Sequence, residues 1–267
     1  MRVSSVKYLE NPIQLSRHYH DGHQLLYVVS GKILVTIDGA LHTATAGDLV
    51  VLSRFEEHSI QVVAEPYKRY AVRVSPEASS YLSDDAVLSS VLANRAATFR
   101  HVTPIDPQKA EPVFRKMAEE YTRDDEMGRQ MMDLLLRQFL IDLFRDAPAL
   151  FISDVNRGTL MVREIQTRME RECGAIYTLS ELAANYHVSA SHLAHSFKDV
   201  TGYAPVEYLM MCRISSAKKQ LSDTDHPVGE IAATCGFGDE SNFCRTFKKR
   251  TGITPTAFRK QYRSQKS

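Results

Sequence analysis

Residues 178–262 contain one motif written twice. Leu193, Phe197, Lys198, Thr201, Gly202, Pro205 and Tyr208 recur as Phe243, Phe247, Lys248, Thr251, Gly252, Pro255 and Phe258, every pair 50 residues apart. Leu182-Ala183-Ala184 recurs as Ile231-Ala232-Ala233 at a spacing of 49, so the second copy holds one more residue in its turn, Gly236-Phe237-Gly238-Asp239. A repeat that keeps register this well is one structural unit used twice.

Each copy reads as a helix-turn-helix, the first over about 178–201 and the second over about 228–251. In copy one, Thr178 and Glu181 have capping-box spacing before a first helix that reaches Tyr186. His187-Val188-Ser189 is the turn, and a second helix follows with Leu193 and Phe197 on its inner face. Gly202 and Gly252 suit left-handed helix ends. The outer positions of the second helices are Ser191, His192 and His195 in copy one, and Glu240, Ser241, Asn242 and Arg245 in copy two. Helices of this kind enter a major groove, where Arg245 matches a guanine edge and Asn242 an adenine edge. Ser189, Lys198, Lys248, Lys249 and Arg250 are placed for phosphate oxygens.

Charge follows the same division. Residues 158–267 carry 15 Lys+Arg against 11 Asp+Glu, and from Asp239 onward the balance is 8 to 2. The basic excess lies on the second copy, as an electrostatic footprint on double-stranded DNA requires.

The stretch IAATCGFGDESNFCRTFKKRTGITPTAFRKQYR, with the repeat around it, closely resembles the DNA-binding domain of the AraC/XylS family of bacterial transcription regulators. The resemblance covers about 100 residues. It implies two helix-turn-helix units joined by a long helix, here about 205–221, reading adjacent grooves. It also implies activation more often than repression, through contacts with RNA polymerase. His192 and His195 depart from the family pattern, because they stand where base-reading residues are expected and histidine predicts no particular base.

A chain of 267 residues is long enough for two domains. It shows no apolar run of the ~20 residues a membrane span needs, and Met1 to Leu15 is too polar for a signal peptide. A cytoplasmic protein is expected, without a membrane partner. The four cysteines, Cys173, Cys212, Cys235 and Cys244, share no CxxC spacing and read as small buried groups in a reducing compartment.

Residues 6–75 alternate short apolar runs with turn signals: 25–29, 32–37, 41–45, 49–52, 58–63 and 67–74. That spacing predicts a sandwich or barrel of jelly-roll type. The order of residues resembles the cupin barrel that many AraC/XylS members carry. His18-Tyr19-His20 matches the HxH of that pattern, Gln24 stands where an acid is usual, and Gly31, Gly39, Gly47 and His58 follow at matching places. The resemblance implies that His18, His20 and His58 converge. With a neutral amide for the acid they are weak metal candidates, so no cofactor is expected. His18, His20, Gln24, Tyr27 and His58 are the candidate effector pocket, suited to a sugar or other small polar molecule. His23 and His42 read as surface or turn residues.

From Asp106 the period becomes helical, first to about Arg123 and then from Met127 to Arg145. The apolar stripe of the second helix is too wide for one face, which predicts packing on the barrel on one side and on a second subunit on the other. The predicted fold class is α+β and multidomain: a cupin-like sensing barrel over 1–104, a helical dimerisation element and linker over 105–157, and a DNA-binding domain with two helix-turn-helix motifs over 158–267. The function it implies is a sequence-specific regulator that answers to a small polar effector, not an enzyme. The alternatives are a dimeric DNA binder without a ligand, or a metal-dependent cupin enzyme fused to a DNA-binding domain.

Overall fold

A computed structural model describes residues 3–10, 15–75, 88, 90–92, 99–151, 157–175 and 178–264. The chain forms two compact units, Met1–Val155 and Asn156–Ser267.

The first unit is built on strands β1 (Val3–Leu9), β2 (Leu15–His18), β3 (His23–Ile37), β4 (Ala40–Thr45), β5 (Asp48–Leu52), β6 (His58–Val74) and β7 (Val102–Pro104). They pair in the order β1-β6-β3-β5-β7, with β2 also on β6 and β4 also on β3. Sequence reading breaks β3 at Ser30-Gly31 and β6 before Tyr67. Instead each is one long bent strand, and β1, β2 and β7 were not anticipated as strands. The bend in β3 falls at Gly31, whose φ is +85°. A Cβ built there would lie 2.7 Å from the Ala64 carbonyl oxygen and 2.9 Å from that of Pro66. Glycine is therefore required twice over, by the left-handed backbone and by the close approach of β6.

The bend folds the sheet onto itself. Leu26 and Val28 from one arm of β3 share a core with Ile33, Val35 and Ile37 from the other, and with Ile60, Tyr67 and Ala71 of β6. Period-two alternation sends Leu25 and Tyr27, with Leu49, Val51, Tyr70 and Val72, to the opposite face. Two helices cover that face: α1 (Pro107–Arg123) and α2 (Glu126–Asp146). Asp106 caps α1 by accepting from the Gln108 N–H, and Asp125 caps α2 by accepting from the Gly128 N–H at 2.6 Å. Helix α2 buries Met132, Leu136, Phe139, Leu140 and Leu143, while Met127, Met131 and Leu134 stay exposed.

The second unit holds α3 (Arg157–Arg171), α4 (Leu179–Asn185), α5 (Ala190–Thr201), α6 (Pro205–Asp223), α7 (Val228–Thr234), α8 (Glu240–Thr251) and α9 (Pro255–Ser264). Phe243 and Phe247 of α8 are fully buried among Ile214, Ala217 and Leu221 of α6 and Ile231 of α7. Each such side chain contributes about 1.5–3 kcal/mol through burial. Arg213 of α6 donates from Nε to the Cys173 carbonyl at 2.9 Å and from Nη2 to that of Ala175 at 3.0 Å, tying the end of α3 to the same helix. The sequence-read linker after Phe151 falls largely on residues 152–156, outside the described residues.

Gly31→Ala is expected to destabilise the barrel unit by roughly 3 kcal/mol, through strain at positive φ and backbone overlap. Thermal unfolding checks this; an unchanged melting temperature would show that the bend accepts a side chain.

Candidate nucleic-acid interface and barrel-rim site

The second helices of the two helix-turn-helix units are held by the same local interactions, whereas only the first unit opens with a capping box; α7 starts after Pro227 with no side-chain cap. Thr178 and Glu181 form the capping box of α4: Thr178 Oγ1 accepts from the Glu181 N–H at 3.1 Å, and Glu181 Oε2 accepts from the Thr178 N–H at 2.8 Å. Ser189 caps α5 by accepting from the His192 N–H at 3.1 Å, and Asp239 caps α8 by accepting from the Asn242 N–H at 2.7 Å. Both helices end in a left-handed glycine, Gly202 and Gly252, with φ of +81° in each. Thr201 donates to the Phe197 carbonyl and Thr251 to the Phe247 carbonyl. Phe197 meets Tyr208 edge to face, as Phe247 meets Phe258. The inner positions Leu193, Phe197, Phe243 and Phe247 are all fully buried. Such pinning leaves the outer faces of α5 and α8 as rigid platforms.

Those faces carry the residues expected there. Ser191, His192, His195 and Lys198 of α5 are exposed, as are Glu240, Ser241, Arg245, Lys248, Lys249 and Arg250 of α8. Asn242 is half-buried, and its Oδ1 accepts from Arg245 Nη2 at 3.4 Å and from Thr246 Oγ1 at 3.5 Å. Asn242 and Arg245 are thus presented as a hydrogen-bonded pair. His195 Nε2 stands 3.4 Å from Asp199, and Arg250 stands 3.7 Å from Glu207 of α6. Ser189 Oγ is used as the cap acceptor, while its hydroxyl proton remains a donor suited to phosphate. The turns differ in length, the second being one residue longer, and in the residue at their left-handed position. His187 adopts φ +55° where the second copy has Gly236 at +79°.

In the first unit, His18, His20 and His58 lie together at the barrel rim, where β2 ends and β6 begins. Their ring centroids are 4.4–5.1 Å apart. His18 Nε2 and His20 Nε2 are 3.3 Å apart. His58 is 2% exposed, and its Nδ1 bonds the Glu56 carbonyl at 2.9 Å. Because that carbonyl can only accept, Nδ1 carries the proton and the lone pair sits on Nε2. Burial lowers the His20 pKa to about 3 and that of His58 to about 4, with Arg73 adding to both shifts. Gln24 is buried near His20 and pairs with Arg73 in the strand register.

Tyr27 does not belong with this group. Its odd position on β3 sends it beneath the helices, where it stacks on Phe114 with ring centroids 5.3 Å apart and planes 6° apart. His23 is also not a surface residue. It is 4% exposed and accepts from the Arg54 N–H at 3.2 Å, beside an Arg54–Asp21 ion pair of 2.9 Å. His42 is half-buried on β4 against His101, with ring centroids 5.2 Å apart. Sequence reading missed Arg73, which only the register of β6 against β3 could bring forward, and the Glu56 carbonyl, which no side-chain pattern encodes. A separate cavity of about 280 Å³ lies against α1 and α2, floored by Ile105, Val113, Phe139 and Leu143 and edged by the Lys109–Asp146 ion pair. It shares no residue with the histidine group.

A cupin-like barrel carried in one chain with two helix-turn-helix units, the second of them basic on its outer face, defines a DNA-binding transcription regulator. Comparison with known proteins gives the family. An AraC-like ligand-binding domain matches residues 12–140, and a helix-turn-helix domain matches residues 182–261. The chain belongs to the AraC family of transcription regulators, which are not enzymes. It is 22% identical over 249 residues to the HTH-type transcriptional activator RhaR of Yersinia pestis bv. Antiqua (strain Angola), covering 92% of this chain and 84% of that one. The RhaR of Enterobacter sp. (strain 638) is 23% identical over 252 residues, covering 94% and 89%. ToxT from Vibrio cholerae strain SCE256, solved with an unsaturated fatty acid bound, shares the fold with a TM-score of 0.61 at 13% identity, covering 95% of this chain and 93% of that one. Among the described residues no helix is long and apolar enough to cross a membrane.

The two depressed imidazoles set a pH dependence. Folded His20 and His58 refuse protons that the unfolded chain, titrating near 6.5, takes up. Their contribution to stability is complete above about pH 6.5 and falls away as the pH drops toward 4 and 3. In chelator-treated protein the melting temperature is expected to fall between pH 7 and pH 5. His58→Gln should flatten that fall; an unaltered slope would show that His58 charges in the folded state.

Proposed function

We propose that this protein activates transcription from promoters bearing two adjacent half-sites, in response to a small polar effector held at the barrel rim. The observation that carries this reading is the equivalent capping and packing of α5 and α8, which leaves an outer face free on each within one domain. Arg245, with Asn242 against it, is the base reader of α8. Lys248, Lys249 and Arg250 hold phosphates, as do Ser189 and Lys198 on α5. Ser191, His192 and His195 face the other groove. Activation accords with the names of the relatives, and it requires contact with RNA polymerase.

The effector reading rests on polar tips grouped at an otherwise apolar barrel: His18, His20, Gln24, His58 and Arg73. These donors and acceptors suit hydroxyl or carboxylate oxygens, as on a sugar or a sugar acid. Binding would shift the population of domain arrangements without reshaping α5 or α8. A homodimer in the cytoplasm completes the proposal. It is supported by Met127, Met131 and Leu134 of α2, which are 64%, 40% and 63% exposed at i, i+4 and i+7, facing away from the barrel.

Selection of genomic fragments on the purified protein tests the DNA reading. A shared pair of half-sites about one helical turn apart is expected, and fragments sharing a single half-site would overturn two-groove reading. Arg245→Ala should cost about 1–3 kcal/mol of binding and relax preference at one base position; a uniform loss on every sequence would assign Arg245 to the phosphates. For the dimer, Met131→Glu with Leu134→Glu should give a monomer in sedimentation, and an unchanged mass would remove α2 from the interface.

A further inference from the structure

The cavity against α1 and α2 joins an apolar floor to an acidic edge. Phe139, Asp142, Leu143 and Asp146 line it from one face of α2, at i, i+3, i+4 and i+7, and α1 supplies Lys109, Ala110 and Val113. Ala110, Phe139 and Leu143 are almost wholly buried, so core side chains fix the shape of the space. Its volume of about 280 Å³ lies at the small end of ligand pockets. Three carboxylates line it against one ammonium, that of Lys109, among the described residues. Asp106 is used in capping α1. Both oxygens of Asp146 accept from Lys109 Nζ, at 2.9 and 2.8 Å, so the lining cation is already matched. The Asp146 hydrogen bond, with the charges of Asp106 and Asp142 nearby, raises the Lys109 pKa above its ordinary value. Asp142 is half-buried and is met at 3.4 Å by Arg145, an exposed residue outside the cavity lining. The edge therefore keeps an excess of negative charge beside apolar walls, and the last turn of α2 adds the negative end of its dipole.

We propose that this cavity binds a small apolar monoamine of the arylethylamine class, its ring against Phe139 and its ammonium on Asp142. Residues three apart on a helix face stand about 5–6 Å from each other, so ring and cation are separated by about two carbons. A carboxylate in the same place meets three aspartates and must draw Lys109 away from Asp146. A neutral ligand leaves the charge of Asp142 unanswered. Ala147 ends α2 at this cavity, and from there the chain leads to the second unit. A bound amine ties the first turn of α1 to the last turn of α2, where that connection begins, and is a second small-molecule input apart from the rim. The inference rests on the first unit alone and depends neither on the rim effector nor on how the chain reads DNA.

The test titrates untagged full-length protein calorimetrically with 2-phenylethylamine, and with 2-phenylethanol and phenylacetate as its neutral and anionic counterparts. One amine per chain is expected, together with a raised melting temperature. The alcohol should bind about tenfold more weakly, through loss of one charge-assisted hydrogen bond, and phenylacetate should not bind. Asp142→Asn should bring the amine down to the affinity of the alcohol and leave the alcohol unchanged. Val113→Trp, which fills the cavity from a half-buried position, should abolish uptake of both; should that variant fail to fold, Asp142→Asn decides alone. An amine that does not bind, an alcohol or phenylacetate that binds as tightly, parental amine affinity in Asp142→Asn, or amine uptake by folded Val113→Trp would overturn the proposal.

Discussion

Along residues 23–28 of β3, successive side chains leave the sheet on opposite faces, and both faces are buried. Even positions, Gln24, Leu26 and Val28, point into the folded barrel. Odd positions, Leu25 and Tyr27, point under α1 and α2. A slip of one residue would exchange the two sets. It would place the Tyr27 ring in the barrel and Gln24 beneath Phe114, away from His20. The cross-strand contacts of β3 with β5 and β6 hold that register, so the helical cover and the rim chemistry depend on the same alternation.

The second unit reaches a similar economy by repetition. One scheme of caps, buried rings and left-handed glycines is used twice, so α5 and α8 are held in the same way. What differs is the surface. The outer face of α5 carries imidazoles and Lys198 beside Asp199, whereas α8 ends in Lys248, Lys249 and Arg250. Packing is duplicated and surface chemistry is not.

Much of this was legible in the chain. Helix ends were the clearest, because Thr178 with Glu181, Pro107 after Asp106, and the glycines at 202 and 252 act within a few residues of themselves. The meeting of His18, His20 and His58 was also anticipated, through resemblance. What failed to show was whatever depended on partners distant in sequence. Ser30-Gly31 looks like a turn, and only the approach of Ala64 and Pro66 makes it a bend inside a strand. Tyr27 looks like a pocket residue until the register decides its side. His23 looks exposed until the backbone N–H of Arg54 is found against it. Arg73 had no local signal, since its place at the rim comes from pairing with Gln24.

The unequal charge of the two reading helices has a consequence for the regulator in its surroundings. Cationic contacts to phosphate draw their strength from the release of counterions, so they weaken as ionic strength rises. Hydrogen bonds from imidazole and serine to base edges are much less sensitive. On the proposed contacts, the α8 end, with three cations in its last turn, answers to ionic strength more steeply than the α5 end, whose last turn carries Lys198 alone. If those contacts are made, a rise in ionic strength weakens the half-site under α8 more than the one under α5.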